Sequence, residues 1–290
     1  MQDIKGQETV FYLSDTGAIC CRKKRLDAQS HVLTILRGLG TVQDASSKLT
    51  DLGITFSYPK PTALMEYLIR VGSGETDTIL DFFAGSGTTG EAVFNLNLKG
   101  GTRRFILVQF PEALEGGNFP TISSLCRERV RRAGGKIRER YPIFAGDLGF
   151  RVFKLASSNI RAWEPNRENL AETLEASVEH LKSERTEADI LFELLLKLGL
   201  DLTVPIEQKT IAGKTVHNIG AGTLLVCLAE QIATGEVEPL ALGLVAWHKQ
   251  LDPAGETSVV FRDSAFADDV AKTNLTAILQ QHELKNVRSL

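Results

Sequence analysis

TILDFFAGSGTTGEAV, residues 78–93, is the stretch on which the fold turns. Thr78 to Phe83 is a run of apolar and β-branched residues and reads as a buried strand. Asp81 stands near its end, and Ala84-Gly85-Ser86-Gly87 follows at once. Thr88 and Thr89 are placed to cap a helix opening at Gly90-Glu91-Ala92-Val93. Strand, glycine turn and helix N-terminus together present backbone N–H groups to a polar ligand. Gly85-x-Gly87-x-x-Gly90 also matches the dinucleotide fingerprint, a pattern that a ligand-free tight turn satisfies as well. Asp81 separates these readings. A dinucleotide site has no evident use for a carboxylate there, whereas a carboxylate beside a glycine turn suits a cationic group such as the amino group of a methionine moiety.

Two flanking stretches add to the pattern. Upstream, Phe56-Ser57-Tyr58-Pro59-Lys60-Pro61 precedes the helical run TALMEYLIR, with Thr62 as its expected cap. Pro59 and Pro61 hold the backbone extended, so Lys60 projects from a stiffened arm. Downstream, Gly100-Gly101 ends one helix and Phe105 to Gln109 reads as a second strand. In nucleoside-cofactor folds an acidic residue often ends that strand and holds the ribose hydroxyls. Gln109 stands there instead; its amide can still hydrogen-bond a diol, without the strength a charge adds. Glu112, three residues on, is placed to compensate.

Asp81-x-Phe83-x-Gly85-Ser86-Gly87-Thr88-Thr89 resembles the cofactor loop of S-adenosylmethionine-dependent DNA amino-methyltransferases. The Phe56–Pro61 arm with the TALMEYLIR run after it, and the Arg103–Gln109 strand, resemble two further motifs of that family, in matching order. With VFKLASSNIRAW (152–163), GLDLTVPIE (199–207) and FRDSAFADDVAKTN (261–274), the chain from about residue 40 onward resembles the C-terminal half of the modification subunit of type III restriction–modification systems. The resemblance implies an α/β protein. A partial, Rossmann-like methyltransferase sheet would span 36–148 and an α/β C-terminal domain 149–290, with 1–35 a remnant of the region that reads the DNA sequence. It implies S-adenosylmethionine as cofactor, held by Asp81, Phe82, Phe83, Ala84, Gly85, Ser86, Gly87, Thr88, Thr89, Lys60, Pro61 and Gln109. Its implied partners are DNA, a second modification subunit and a restriction subunit.

The 290 residues carry 33 Lys and Arg against 36 Asp and Glu, so no global field draws the chain to DNA and contact must come from local patches. Arg22-Lys23-Lys24-Arg25 is one. CRERVRRAGGKIRERY (126–141) is the other, with seven basic residues and Arg127 and Arg131 as candidate contacts. A solvated helix face explains such a run equally well. Cys20, Cys21, Cys126 and Cys227 have neither metal spacing nor a disulfide pattern, and the five histidines form no ligand pair. No secretion signal opens the chain, and Glu193 and Lys197 break the apolar run at 190–200, so a soluble cytoplasmic protein is expected.

Elsewhere, FYLSDTGAICCRKKRL reads as strand, turn and strand, and 42–52 as an amphipathic helix closed by Gly53. Residues 150–155 alternate like a strand, and 166–183 suggest a surface helix or linker. A helix follows at 186–198 with Thr186 as cap and Gly199 as stop. KTVHNI and TLLVCL pair across Gly220-Ala221-Gly222. A helix near 232–249, a strand at SVVFRD and a helix at 268–283 close the chain.

Methyl transfer to an exocyclic amine also needs groups that hydrogen-bond the amine and a pocket for an extruded base. In the resembled family an Asp/Asn/Ser-Pro-Pro-aromatic tetrapeptide does this. No two of the nine prolines here are adjacent, so no catalytic residue is assigned. In the class resembled, that tetrapeptide and several strands precede the cofactor loop. The expectation is a chain that binds S-adenosylmethionine, is inactive alone, and needs a complementing N-terminal methyltransferase segment or a second subunit. Two alternatives stand beside it: a non-catalytic assembly module from a truncated or split gene, and a methyltransferase of RNA or small molecules or a nicotinamide enzyme.

Overall fold

A computed structural model describes residues 8–23, 35–115, 118–161, 168–169 and 181–290. They fall into two compact units, Met1–Phe150 and Arg151–Leu290.

In the first unit, β1 (Thr9–Leu13) and β2 (Ile19–Lys23) form an antiparallel hairpin across the expected Asp15-Thr16-Gly17 turn. α1 (Val42–Asp51) starts from a capping box between Thr41 and Asp44 and gives way to Gly53 at φ +69°. α2 (Thr62–Gly72) has Pro61 at its N-cap. Thr62 is therefore the first helical residue, not the cap, and its hydroxyl is free for other work. β3 (Thr78–Asp81) leads through the glycine turn into α3 (Thr88–Leu98), and β4 (Arg104–Leu107) pairs with β3 in parallel, Leu80 beside Ile106. α4 (Ile122–Arg140) begins at a Thr121–Ser124 capping box and runs unbroken through Gly134-Gly135. Phe94 and the Leu148 carbonyl pack closely over Gly134, 3.4 and 3.3 Å from where its Cβ would stand.

Alternation along β3 and β4 divides the sheet into two faces. Ile79, Phe105 and Leu107 pack against apolar residues of α2, α3 and α4, among them Ile69, Val93, Phe94 and Val130. Leu80 (59% exposed), Ile106 (53%) and Val108 point the other way, uncovered. The expectation of a buried strand at 78–83 is thus corrected: one face is buried and the other is open.

In the second unit the first helix among the described residues is α5 (Glu187–Lys197), capped by Thr186 as expected. Its sheet runs in the order β5 (Ile206–Ile211), β6 (Lys214–Ile219), β7 (Leu224–Cys227), β8 (Ser258–Phe261), β9 (Asn286–Ser289). β5, β6 and β7 are antiparallel neighbours; β7, β8 and β9 run parallel. α6 (Val237–Leu251) and α7 (Asp269–Gln281) supply the crossovers that the parallel strands require. One sheet face packs with α5 and the other with α6 and α7.

Residues 150–155 form no strand: their alternation is real, but among the described residues none pairs with them in a ladder. The helix or linker expected at 166–183 lies mostly outside the described residues. Among the described residues, no helix is long and apolar enough to cross a membrane.

Candidate functional site

The turn after β3 is held by the Asp81 carboxylate and shaped by two glycines. Asp81 accepts from the Phe83 N–H at 3.2 Å through one carboxylate oxygen and from the Thr89 hydroxyl at 2.5 Å through the other. Gly85 and Gly87 take φ values of +53° and +81°, which L side chains adopt only with strain. A Cβ on Gly87 would lie 2.9 Å from Cys126 Sγ and 3.0 Å from its carbonyl, so α4 presses against the turn at a point where only hydrogen fits. A Cβ on Gly85 would meet nothing nearer than the Phe83 carbonyl at 3.9 Å, so that side of the loop is open.

Gly87 is also the N-cap of α3, and no side chain caps that helix. Thr88 and Thr89, expected as caps, instead occupy the first two helical positions and direct their hydroxyls elsewhere. An uncapped helix start beside a carboxylate offers N–H donors and a fixed negative group within one turn. That combination suits a ligand carrying both an anionic or hydroxyl part and a cationic part.

The other expected residues are placed around it. The Lys60 carbonyl accepts from the Thr88 hydroxyl at 3.4 Å, so the proline-stiffened arm touches the loop, with the Lys60 side chain exposed. Gln109 accepts from the Gly85 N–H at 2.7 Å and donates to the Phe110 carbonyl at 3.1 Å, so both ends of its amide hold the turn. Phe83 (84% exposed) and Phe110 (78%) stand in solvent at this end of the sheet, and Phe82 lies against Phe83 with ring centroids 5.0 Å apart.

The residue that sequence reasoning missed is Arg129. It belongs to the basic run, yet its side chain is 2% exposed. Its Nε donates to Glu91 at 2.8 Å, and one terminal nitrogen donates to Ser86 and Thr88, each at 2.7 Å. The signal was periodicity. Leu125, Cys126, Arg129, Val130, Ala133, Gly134 and Ile137 share the buried stripe of α4, so helical spacing places Arg129 inside. Burial raises the Cys126 thiol to about 11, with Arg129 opposing and Asp81 adding to the rise, so it is no nucleophile at neutral pH.

The rest of the basic run is largely committed within the unit. Arg131 forms a two-point contact with Glu128, and Arg132 joins the same carboxylate at 2.6 Å and donates to the Leu52 carbonyl at 2.7 Å. Those hydrogen bonds, Arg131's foremost, draw Glu128 down from 4.5 to about 2 against its partial burial. Lys136 donates to the Asp51 carbonyl, and Arg127 is exposed. Arg22 lies over Tyr12 of its own hairpin, 5.4 Å from the ring centroid, with Lys23 beside it on β2. Lys24 and Arg25 lie outside the described residues.

Residues 28–114, which include the turn and both strands around it, match the model of a DNA methylase family. The chain is 32% identical over 203 residues to the EcoP15I Mod subunit of a type III restriction-modification enzyme from Escherichia coli, covering 67% of this chain and 29% of that one. It is 41% identical over 109 residues to the StyLTI Mod subunit from Salmonella typhimurium, and 31% identical over 169 residues to the EcoPI Mod subunit from Escherichia phage P1. The chain spans less than a third of the length of each of these relatives.

Proposed function

We propose that this chain, which matches the model of a DNA methylase family over residues 28–114 and is similar to part of the type III Mod subunits, is a cofactor-holding portion of an adenine-N6 DNA methyltransferase. S-adenosylmethionine would supply the methyl group. The carrying observation is the uncapped start of α3 at a left-handed Gly87, directly beside the Asp81 carboxylate. In this reading Asp81 faces the amino group of the methionine moiety, the first N–H groups of α3 face its carboxylate, and Phe83 lies along the nucleoside. Gln109 reaches the ribose only by releasing Gly85. Lys60 and Pro61 bound the pocket from the arm. Arg22, Lys23 and Arg127, and in sequence Lys24 and Arg25, are the proposed phosphate contacts; Arg131 contributes once it leaves Glu128.

The open face of β3 and β4 supports the second part of the reading. Parallel sheets are ordinarily covered on both faces, and Leu80, Ile106 and Val108 are the side chains that further polypeptide would cover. That polypeptide, in the same or another chain, would bring the groups that activate adenine. The chain by itself therefore transfers no methyl group. A pure assembly module would show the same open face, and cofactor binding separates the two.

Calorimetric titration with S-adenosylmethionine tests the site. Binding by the native chain, lost in Asp81→Ala and reduced in Asp81→Asn, is the expected result. Unchanged affinity in both variants would reduce the turn to a structural element. Appearance of methyl label in DNA with the pure chain would overturn the claim that activation comes from elsewhere.

A further inference from the structure

We propose that Arg129 is the positioning residue of the cofactor loop, the group through which α4 fixes the loop in its binding shape before any ligand arrives; this rests on the reading of the turn as an S-adenosylmethionine site. Its guanidinium is a node for three segments distant in sequence. Besides Glu91, Ser86 and Thr88, it reaches the hydroxyl of Thr62 at 3.4 Å, the first residue of α2 after the Lys60-Pro61 arm. Thr62 in turn donates to Glu91 at 3.4 Å, which closes the ring of contacts.

The role follows from what the contacts leave undone. Serine and threonine hydroxyls near a helix start tend to turn back onto its free N–H groups. Ser86 and Thr88 flank Gly87, and both instead accept from Arg129. α3 begins at Gly87 with no side-chain cap, and Arg129 holds the neighbouring hydroxyls of Ser86 and Thr88 in other contacts. Glu91 balances the guanidinium charge, so Arg129 acts on the shape of the loop and is no anion hook. A lysine would keep a cation near Glu91, but its one ammonium nitrogen cannot hold Glu91 from one position and Ser86 and Thr88 from another, as Nε and the terminal nitrogen of Arg129 do.

The test uses the full chain and its Arg129→Lys variant. S-adenosylhomocysteine is titrated calorimetrically, amide hydrogen exchange is followed at residues 84–90 without ligand, and urea midpoints are recorded. The expected result is affinity lowered about tenfold and exchange at 84–90 raised by a similar factor, with exchange in the second unit unchanged. A purely structural arginine would shift the urea midpoint while leaving affinity and loop exchange at native values, and that outcome overturns the proposal. If the native chain takes up no S-adenosylhomocysteine, the reading of the site fails separately. The exchange comparison still decides, faster loop exchange supporting the positioning role and unchanged exchange ending it. Should Arg129→Lys not fold, Ser86→Ala with Thr88→Val, which leaves the Arg129–Glu91 pair in place, is put through the same comparison.

Discussion

In the second unit Leu225 and Val259 face the α6–α7 side of the sheet, Val226 and Val260 face α5, and all four are buried. In the first unit the parallel pair β3–β4 is covered on one face only, and on the other Leu80, Ile106 and Val108 stand open. The second sheet is held by apolar packing from both sides. Around the first, packing acts from one side, and a buried polar node adds what packing does not: it fixes one particular loop shape. A region that must present backbone to a ligand cannot be filled with side chains, so its order comes from directional bonds.

The largest expected effect probes that node. Arg129→Met leaves Glu91 without its ion-pair partner in a largely buried place, with only the Thr62 hydroxyl beside it among the described residues, and should cost about 3–5 kcal/mol in urea unfolding of the first unit. A loss below about 1 kcal/mol would mean the node carries little. Next comes a paired truncation. Leu225→Ala, in the covered sheet, should cost about 2–5 kcal/mol, whereas Ile106→Ala on the open face should change stability by less than about 1 kcal/mol and lower hydrophobic-dye binding. Equal costs would break the contrast between the sheets. A smaller effect is expected where the units are built alike. Thr121→Ala and Thr186→Ala remove the caps of α4 and α5 and should each cost about 1 kcal/mol.

The smallest effect concerns Glu128. Its folded-state pKa is depressed, so its contribution is present above about pH 4.5 and is lost as the pH falls toward about 2. Glu128→Gln should lower stability by no more than about 1 kcal/mol at neutral pH, since surface pairs contribute little. The difference from the native chain should vanish near pH 2 in a pH series of unfolding curves.

What could be read in advance follows from how local each cause is. The strand–turn–helix order around Gly85 and Gly87, the Thr186 cap, and the Gly53 and Gly199 stops all rest on neighbours within a few residues, and they are legible. The open face is not, because TILDFF has the same composition whether a strand is covered once or twice. FRVFKL alternates like a strand, but a ladder needs a partner that alternation does not supply. Arg129 shows the same limit: Arg127 to Arg132 reads as a charged surface until helical spacing turns one of its members inward, 38 residues from the glutamate it meets.

The contact between Gly87 and Cys126 carries one more consequence. With hydrogen where a methyl would stand, turn and helix meet with no slack, and α4 becomes a backstop against which the loop rests. Any side chain at position 87 would therefore have to push α4 and the turn apart, so the spacing between them is set by the absence of a single carbon.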